Sequence, residues 1–338
     1  MRKIYQKMKK ISILGSGAWG TAIANVLADN GNEVIMYTNS EQVLFDININ
    51  HKNCKYFKDN MINNSIKAIS NIDLITKNID ILIIAVPSNV VKELLNVIKN
   101  NIMDRTIIVN LSKGFDIDTK KTLSQSIISL LPYQLRNNLV TLVGPSFAEE
   151  VINRKITVVT ATSNNYELAK KVQEIFSNNY FRVYTNNDVI GTEYCAALKN
   201  VIALACGMLD AIDGGDNARA ALITRGMNEI KRYVTLFGGN EKTCLGLSGY
   251  GDLILTCTSK KSRNYQAGFK IGKIGYKDFI KNNETTIEGI SACKVAYKIS
   301  VDNNIYAPIV TAVYKILEED SSPTYEIKKM MSSELKSE

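Results

Sequence analysis

Six residues near the start, Gly15-Ser16-Gly17-Ala18-Trp19-Gly20, carry the spacing G-x-G-x-x-G between a short apolar run and a helix-forming one. Each glycine has a physical task in that setting. The first permits a tight turn, the second lets backbone approach a pyrophosphate, and the third lets the helix pack closely on its sheet. The N-terminus of the following helix supplies free N–H groups and a partial positive charge. A dinucleotide is the expected ligand, held by Gly15, Gly17, Ala18, Trp19 and Gly20. The bland alternative is a glycine-rich strand-to-helix turn that binds nothing. Asn39 and Ser40, at the end of the next strand, are candidates for the ribose. That strand ends in Thr38-Asn39-Ser40, with no acid to repel a 2′-phosphate and no arginine to clamp one. NAD(H) and NADP(H) both fit.

A second anion site is suggested by Ser262-Arg263-Asn264 ahead of a helical stretch. Ser262 suits a helix cap, the helix N-terminus faces an anion, and Arg263 adds a planar fork matched to phosphate. Asp252 follows the glycine-rich turn Gly249-Tyr250-Gly251 and reads either as a helix cap or as an acceptor in a polar site. His51 is the only histidine, and the six cysteines are scattered with no Cys-x-x-Cys pair. Zinc chemistry is not expected on that pattern, and neither is a histidine base. The cysteines read as reduced, mostly buried small apolar residues.

These residues need a scaffold. Apolar, β-branched runs at 11–14, 33–37, 79–86, 106–111, 140–143 and 156–161, with 181–184 a further candidate, read as strands. Helical stretches at 21–30, 90–100, 122–131 and 166–176 alternate with them, as in a doubly wound α/β sheet of Rossmann type. From about Glu193 the texture turns helical, with segments at 195–211, 218–237, 264–271 and 290–303. The expected division is a dinucleotide-binding domain over 1–190 and an all-α substrate-binding domain over 191–338, its polar tail ending in a loosely held helix after Pro323. The net charge of +8 is spread along the chain without a basic block, so no nucleic-acid partner is expected. The basic stretch 1–10 precedes no apolar region long enough for a signal peptide or membrane span, Met8 offers a second start, and a cytoplasmic protein is the expectation.

Three further motifs narrow the chemistry: Asn110-Leu111-Ser112-Lys113-Gly114, Val143-Gly144-Pro145-Ser146-Phe147-Ala148, and Glu193-Tyr194-Cys195-Ala196-Ala197-Leu198-Lys199-Asn200. With Gly251-Asp252-Leu253-Ile254 and Ser262-Arg263-Asn264 downstream, the ordered series resembles bacterial NAD(P)-dependent glycerol-3-phosphate dehydrogenase, over about residues 10 to 319. The resemblance implies reversible reduction of dihydroxyacetone phosphate to sn-glycerol 3-phosphate for glycerophospholipid synthesis. It also implies a homodimer, and a helical domain like the C-terminal one of 6-phosphogluconate dehydrogenase. It makes Lys199 the proton donor and acceptor. Hydride delivery to a ketone builds negative charge on oxygen, which a placed ammonium stabilises and protonates. A lysine titrating near ~10.4 needs burial or a nearby cation to serve as base, and Lys113 is the family's cation at the same pocket. Elimination of histidine leaves lysine as well.

By the same resemblance Lys113, Gly144, Ser146, Asn200, Asp252, Thr256, Ser262, Arg263 and Asn264 meet the substrate. Lys113, Ala148, Arg263, Thr286 and Glu288 meet the cofactor. The chain departs from the family where Lys55-Tyr56-Phe57-Lys58-Asp59 replaces the usual Leu-Pro-Gly, and where Ala18 replaces a commoner serine. Two other readings compete. A related hydroxyacid or sugar-acid dehydrogenase would carry a Ser-Gly-Gly carboxylate signature, absent here, and a non-catalytic dinucleotide sensor would not need Lys113, Lys199, Asp252 and Arg263 together.

Overall fold

The computed structural model describes residues 8–283, 285–332 and 334. The stretch ahead of Met8, with the question of the true start, lies outside the described residues, as do the last residues of the chain. Two compact units emerge. One comprises the chain up to Ser112 together with Leu123–Val189, and the other comprises Lys113–Thr122 with the chain from Ile190 onward.

The first unit is built on eight strands: β1 (Lys10–Leu14), β2 (Glu33–Tyr37), β3 (Lys67–Ile69), β4 (Ile81–Ile84), β5 (Ile107–Asn110), β6 (Leu139–Val143), β7 (Thr157–Thr162) and β8 (Phe181–Asn186). Their order is β3-β2-β1-β4-β5-β6-β7-β8, parallel except where β6 meets β7. The Ile/Val/Leu runs explain the parallel core. Ile11, Ile13, Ile81, Ile83 and Val109 enter one apolar cluster, while Leu14, Leu82, Ile84 and Ile108 enter another. Alternate residues of each strand thus bury into opposite layers, and both faces of the sheet are covered. The helices are α1 (Ala18–Asp29), α2 (Glu41–Phe45), α3 (Cys54–Phe57), α4 (Ser88–Ile98), α5 (Leu123–Leu130), α6 (Ala148–Ile152) and α7 (Tyr166–Phe176). β1 pairs with β2 on one side and β4 on the other, so the strand order reverses direction beside it. Ligands of such sheets bind at the carboxyl ends of strands at that reversal.

The second unit is helical: α8 (Val189–Ala211), α9 (Gly215–Leu236), α10 (Asp252–Thr258), α11 (Arg263–Ile274), α12 (Tyr276–Lys281), α13 (Glu288–Asp302), α14 (Pro308–Glu318) and α15 (Pro323–Met331). Among the described residues α8 is the one helix long and apolar enough to cross a membrane, and 89% of that window is buried inside the protein. It is the core helix here. A Cβ on Gly207 of α8 would collide with the Tyr265 carbonyl, and one on Gly268 of α11 with the Leu204 carbonyl. Paired glycines therefore let the two helices cross backbone to backbone. The segment Lys113–Thr122 joins this core through Phe115, whose ring meets Tyr194 edge-on with centroids 5.5 Å apart. All six cysteines are free thiols, five of them buried and Cys54 exposed.

Candidate functional site

The most unusual electrostatic feature lies in the second unit, where α8 carries Lys199 and α10 begins with Asp252. Lys199 is 5% exposed and Asp252 1%. One carboxylate oxygen of Asp252 stands 2.5 Å from Lys199 Nζ and the other 2.9 Å from Lys113 Nζ. Lys199 Nζ also donates to Thr256 Oγ1 at 3.1 Å, and that hydroxyl donates to the Asp252 carbonyl at 2.6 Å. Two ammoniums thus share one carboxylate, and an ammonium left under-compensated in a buried site releases its proton easily. Burial pushes Lys199 down to about 8; the Asp252 charge opposes that and Lys113 adds to it. Burial also works against the Lys113 ammonium, yet Asp252 and Glu288 hold it above the ordinary lysine range. Burial works to raise the Asp252 carboxyl, but the two lysines hold it below the usual carboxylate range.

Of the two sequence readings of Asp252, the capping one gives way. Past a kink at Gly249, Gly251 holds the cap position of α10, and the Asp252 side chain faces the lysines.

The Ser262-Arg263-Asn264 segment opens α11 as read. Ser262 Oγ accepts the Tyr265 N–H at 3.2 Å, which caps the helix. Arg263 is exposed, with Glu288 3.8 Å from its guanidinium. Asn264 is buried and largely committed: Oδ1 accepts the Gly289 N–H at 2.8 Å and Nδ2 donates to Asn200 Oδ1 at 3.0 Å. Asn200 Nδ2 in turn donates to Glu288 Oε2 at 3.3 Å. Asn200, Asn264 and Glu288 form one polar chain that ties α8, α11 and α13 together. A Cβ on Gly289 would stand 2.6 Å from the Asn200 carbonyl, so that glycine permits the approach. Thr286 is exposed just before α13.

In the first unit the glycine loop has the shape a pyrophosphate requires. Gly15 has φ +106°, and a Cβ there would lie 2.6 Å from the Ala85 carbonyl oxygen. A Cβ on Gly20 would lie 2.5 Å from the Gly15 carbonyl oxygen. Gly17 differs, because apart from its own helix and chain neighbours no atom of the described residues lies within 4 Å of where its Cβ would be. That open side, at the start of a helix whose first turn no side chain caps, fits a bound anion. Trp19 Nε1 is buried with no hydrogen-bond partner among the described residues. Asn39 is exposed, and Ser40 caps α2 by accepting the Val43 N–H at 3.4 Å. Gly144, at φ +154°, follows β6 where a Cβ would press on Val159 Cα at 2.8 Å. Ser146 Oγ donates to the Gly144 carbonyl at 3.1 Å, and Ala148 begins α6.

Motif reading passed over one residue that touches the loop. Asn53 is fully buried, and its amide donates to the Ser16 carbonyl at 2.9 Å. A single asparagine in an unpatterned stretch carries no signal by itself.

Family models agree with both halves. Residues 10–169 match the NAD-dependent glycerol-3-phosphate dehydrogenase N-terminus, and residues 188–328 match the C-terminus of the same family. The NAD(P)+ glycerol-3-phosphate dehydrogenase of Streptococcus agalactiae is 44% identical over 332 residues, covering 98% of each chain. That of Clostridium botulinum is 42% identical over 98% of this chain and 99% of its own. Among solved structures, glycerol-3-phosphate dehydrogenase from Coxiella burnetii superposes with a TM-score of 0.89 at 32% identity, covering 96% of this chain and 99% of that one. By sequence across its whole length and by fold, the chain belongs to the NAD-dependent glycerol-3-phosphate dehydrogenase family.

Proposed function

We propose that this protein reduces dihydroxyacetone phosphate to sn-glycerol 3-phosphate with NADH or NADPH, reversibly, and so feeds glycerophospholipid synthesis. The observation that carries the mechanism is the Lys113–Asp252–Lys199 cluster, in which Asp252 and Lys199 are buried. Bound reduced nicotinamide supplies the hydride that converts the ketone carbon to an alcohol. Lys199 gives its Nζ proton to the oxygen as negative charge develops there, and in the oxidative direction the neutral amine takes it back. Asp252 and Thr256 aim Nζ, and Lys113 adds a second cation for the anionic substrate. Arg263, exposed at the start of α11, is the group for the substrate phosphate, with Ser262 and Asn264 fixing the backbone around it. Gly144 and Ser146 are assigned to the substrate, and Asn39, Ser40, Ala148, Thr286 and Glu288 to the cofactor, on the family pattern.

The domain over 1–190 is the dinucleotide-binding one and that over 191–338 the substrate-binding one, with Lys113 serving the latter's chemistry. On the same pattern the enzyme acts as a cytoplasmic homodimer, which sedimentation and fractionation test.

The direct assay follows absorbance of NADH or NADPH with dihydroxyacetone phosphate. Oxidation of the reduced nicotinamide is expected. Binding without turnover would favour a sensor, and turnover only with hydroxyacid-derived ketones would favour the sister enzymes. Lys199→Ala is expected to keep cofactor affinity and lose turnover by orders of magnitude. Unchanged turnover would remove Lys199 from the mechanism.

A further inference from the structure

We propose that Asn53 is a positioning residue for the dinucleotide, holding the Ser16 carbonyl so that the glycine loop keeps the form that receives a pyrophosphate. The proposal rests on reading that loop as the cofactor site. Asn53 Nδ2 donates to two acceptors, the Ser16 carbonyl and Thr21 Oγ1, each at 2.9 Å. The Thr21 hydroxyl is itself 3.4 Å from the same carbonyl and donates to it. A carbonyl only accepts, so the amide orientation is settled: the NH2 faces Ser16. Asn53 Oδ1 is buried with no partner among the described residues, so the loop-facing bonds are the ones this amide makes.

The loop needs such a restraint. Ser16 lies between Gly15 and Gly17, and peptides beside glycine rotate at little steric cost. Turning the Ser16–Gly17 peptide over would exchange the N–H offered to phosphate for a carbonyl that repels it. Two donors converging on that carbonyl prevent the exchange.

The chain also delivers Asn53 with unusual care. The excursion from Asp46 to Asn63 runs beside α1 and is fastened to it again farther along. The Asn63 N–H donates to Asn25 Oδ1 at 2.8 Å, and Asn63 Nδ2 donates to Asp29 Oδ1 at 3.0 Å. Residues 21, 25 and 29 lie on one face of α1, a turn apart. The excursion is thus a strap along the helix, ending at the loop. It includes the stretch 55–59, where this chain departs from the family's usual Leu-Pro-Gly.

Trp19 is the only tryptophan in the chain and sits inside the loop, so its emission reports on the loop directly. The test titrates NADH and NADPH into the whole protein and follows quenching of Trp19. Asn53→Asp keeps the shape and removes the donors; it is expected to weaken Kd at least about tenfold, the cost of an unmade buried bond. At saturating cofactor its kcat stays within about threefold of the parent, a split between binding and chemistry. Thr21→Val, a gentler change on the same carbonyl, is expected to weaken Kd by less, and stands in should Asn53→Asp fail to fold. Asn63→Ala removes the side-chain tie from the strap's far end to Asp29 while keeping the backbone one to Asn25, and is expected to lower Tm while leaving Kd unchanged. Unaltered Kd in Asn53→Asp or, failing its folding, in Thr21→Val would overturn the proposal. So would an equal loss of affinity in Asn63→Ala, which would make the strap merely structural. A parent protein that binds neither dinucleotide would overturn the cofactor reading and this proposal together, whereas binding without turnover would overturn only the assigned reaction.

Discussion

Replacing Asp252 by asparagine removes the one anion that buried Lys199 and half-buried Lys113 share, with little change of shape. An opposite charge at such range shifts a pKa by about 1–3 units. Without Asp252, Lys199 moves further below about 8. At pH 7 the parent holds about nine-tenths of Lys199 as ammonium, and each unit of further lowering cuts the variant's ammonium by up to about tenfold. On the proposed role of Lys199, reduction of dihydroxyacetone phosphate needs that ammonium, so its rate at pH 7 should fall by about twofold to a hundredfold from protonation alone.

The assay is a pH profile of NADH oxidation at saturating cofactor. In the parent, reduction declines and glycerol 3-phosphate oxidation climbs as pH rises through about 8. In Asp252→Asn both limbs move to lower pH. A limb that stays near pH 8 in the variant would refute the assignment of Asp252 as the charge that holds Lys199. Stability gives an independent sign. Breaking a buried pair costs about 3–5 kcal/mol because charges are left unpaired. The folded Lys199 titrates below its unfolded value, so between the two values the unfolded chain binds more protons and stability rises with pH. The variant's deficit in Tm is therefore largest at low pH and shrinks as the solution becomes alkaline.

Two other perturbations separate folding from binding. Gly17→Ala presses on no distant part of the described chain, so Tm should hold while the Kd for NADH, read by Trp19 quenching, rises at least about tenfold; Gly20→Ala, driven into the Gly15 carbonyl, should lose stability as well. If Gly17→Ala binds as tightly as the parent, the open side of the loop is not the pyrophosphate site. Buried Glu229 accepts the Ile309 and Val310 N–H groups at 2.6 and 3.1 Å at the start of α14, and burial pushes its carboxyl up to about 7. Its folded value lies above its unfolded one, so stability should fall as pH rises from about 4.5 to 7, and Glu229→Gln should flatten that slope in a series of urea melts. An unchanged slope would show that Glu229 does not titrate in this window.

How much of this was legible beforehand depends on how far each residue must reach. β2 and α7 fall where their patterns put them, because five apolar-rich or eleven amphipathic residues decide locally. β3 carries no legible signal, since Lys67-Ala68-Ile69 is too short to show a period and gains its identity by pairing with β2. α14 was not read either, although Pro308 at its start is a known opening signal. The glycine loop was readable because each glycine answers a steric demand inside one turn. Asp252 was ambiguous because the choice between cap and counter-ion is made by Lys113 and Lys199, distant in sequence. Asn200 and Asn264 were read as substrate ligands. Their amides bond each other and the start of α13, a tie that no spacing announces.

The second unit takes one of its pieces, Lys113–Thr122, from the middle of the other unit's stretch of chain. On the ribosome that piece emerges early, and Lys113 must wait for a carboxylate that lies 139 positions downstream. Phe115 likewise waits for Tyr194. Until α8 and α10 are made, a cation and an aromatic ring have no core to enter. Assembly of the Lys113–Asp252–Lys199 cluster is consequently a late event of synthesis, and a fragment beginning at Ile190 would carry a gap where both belong.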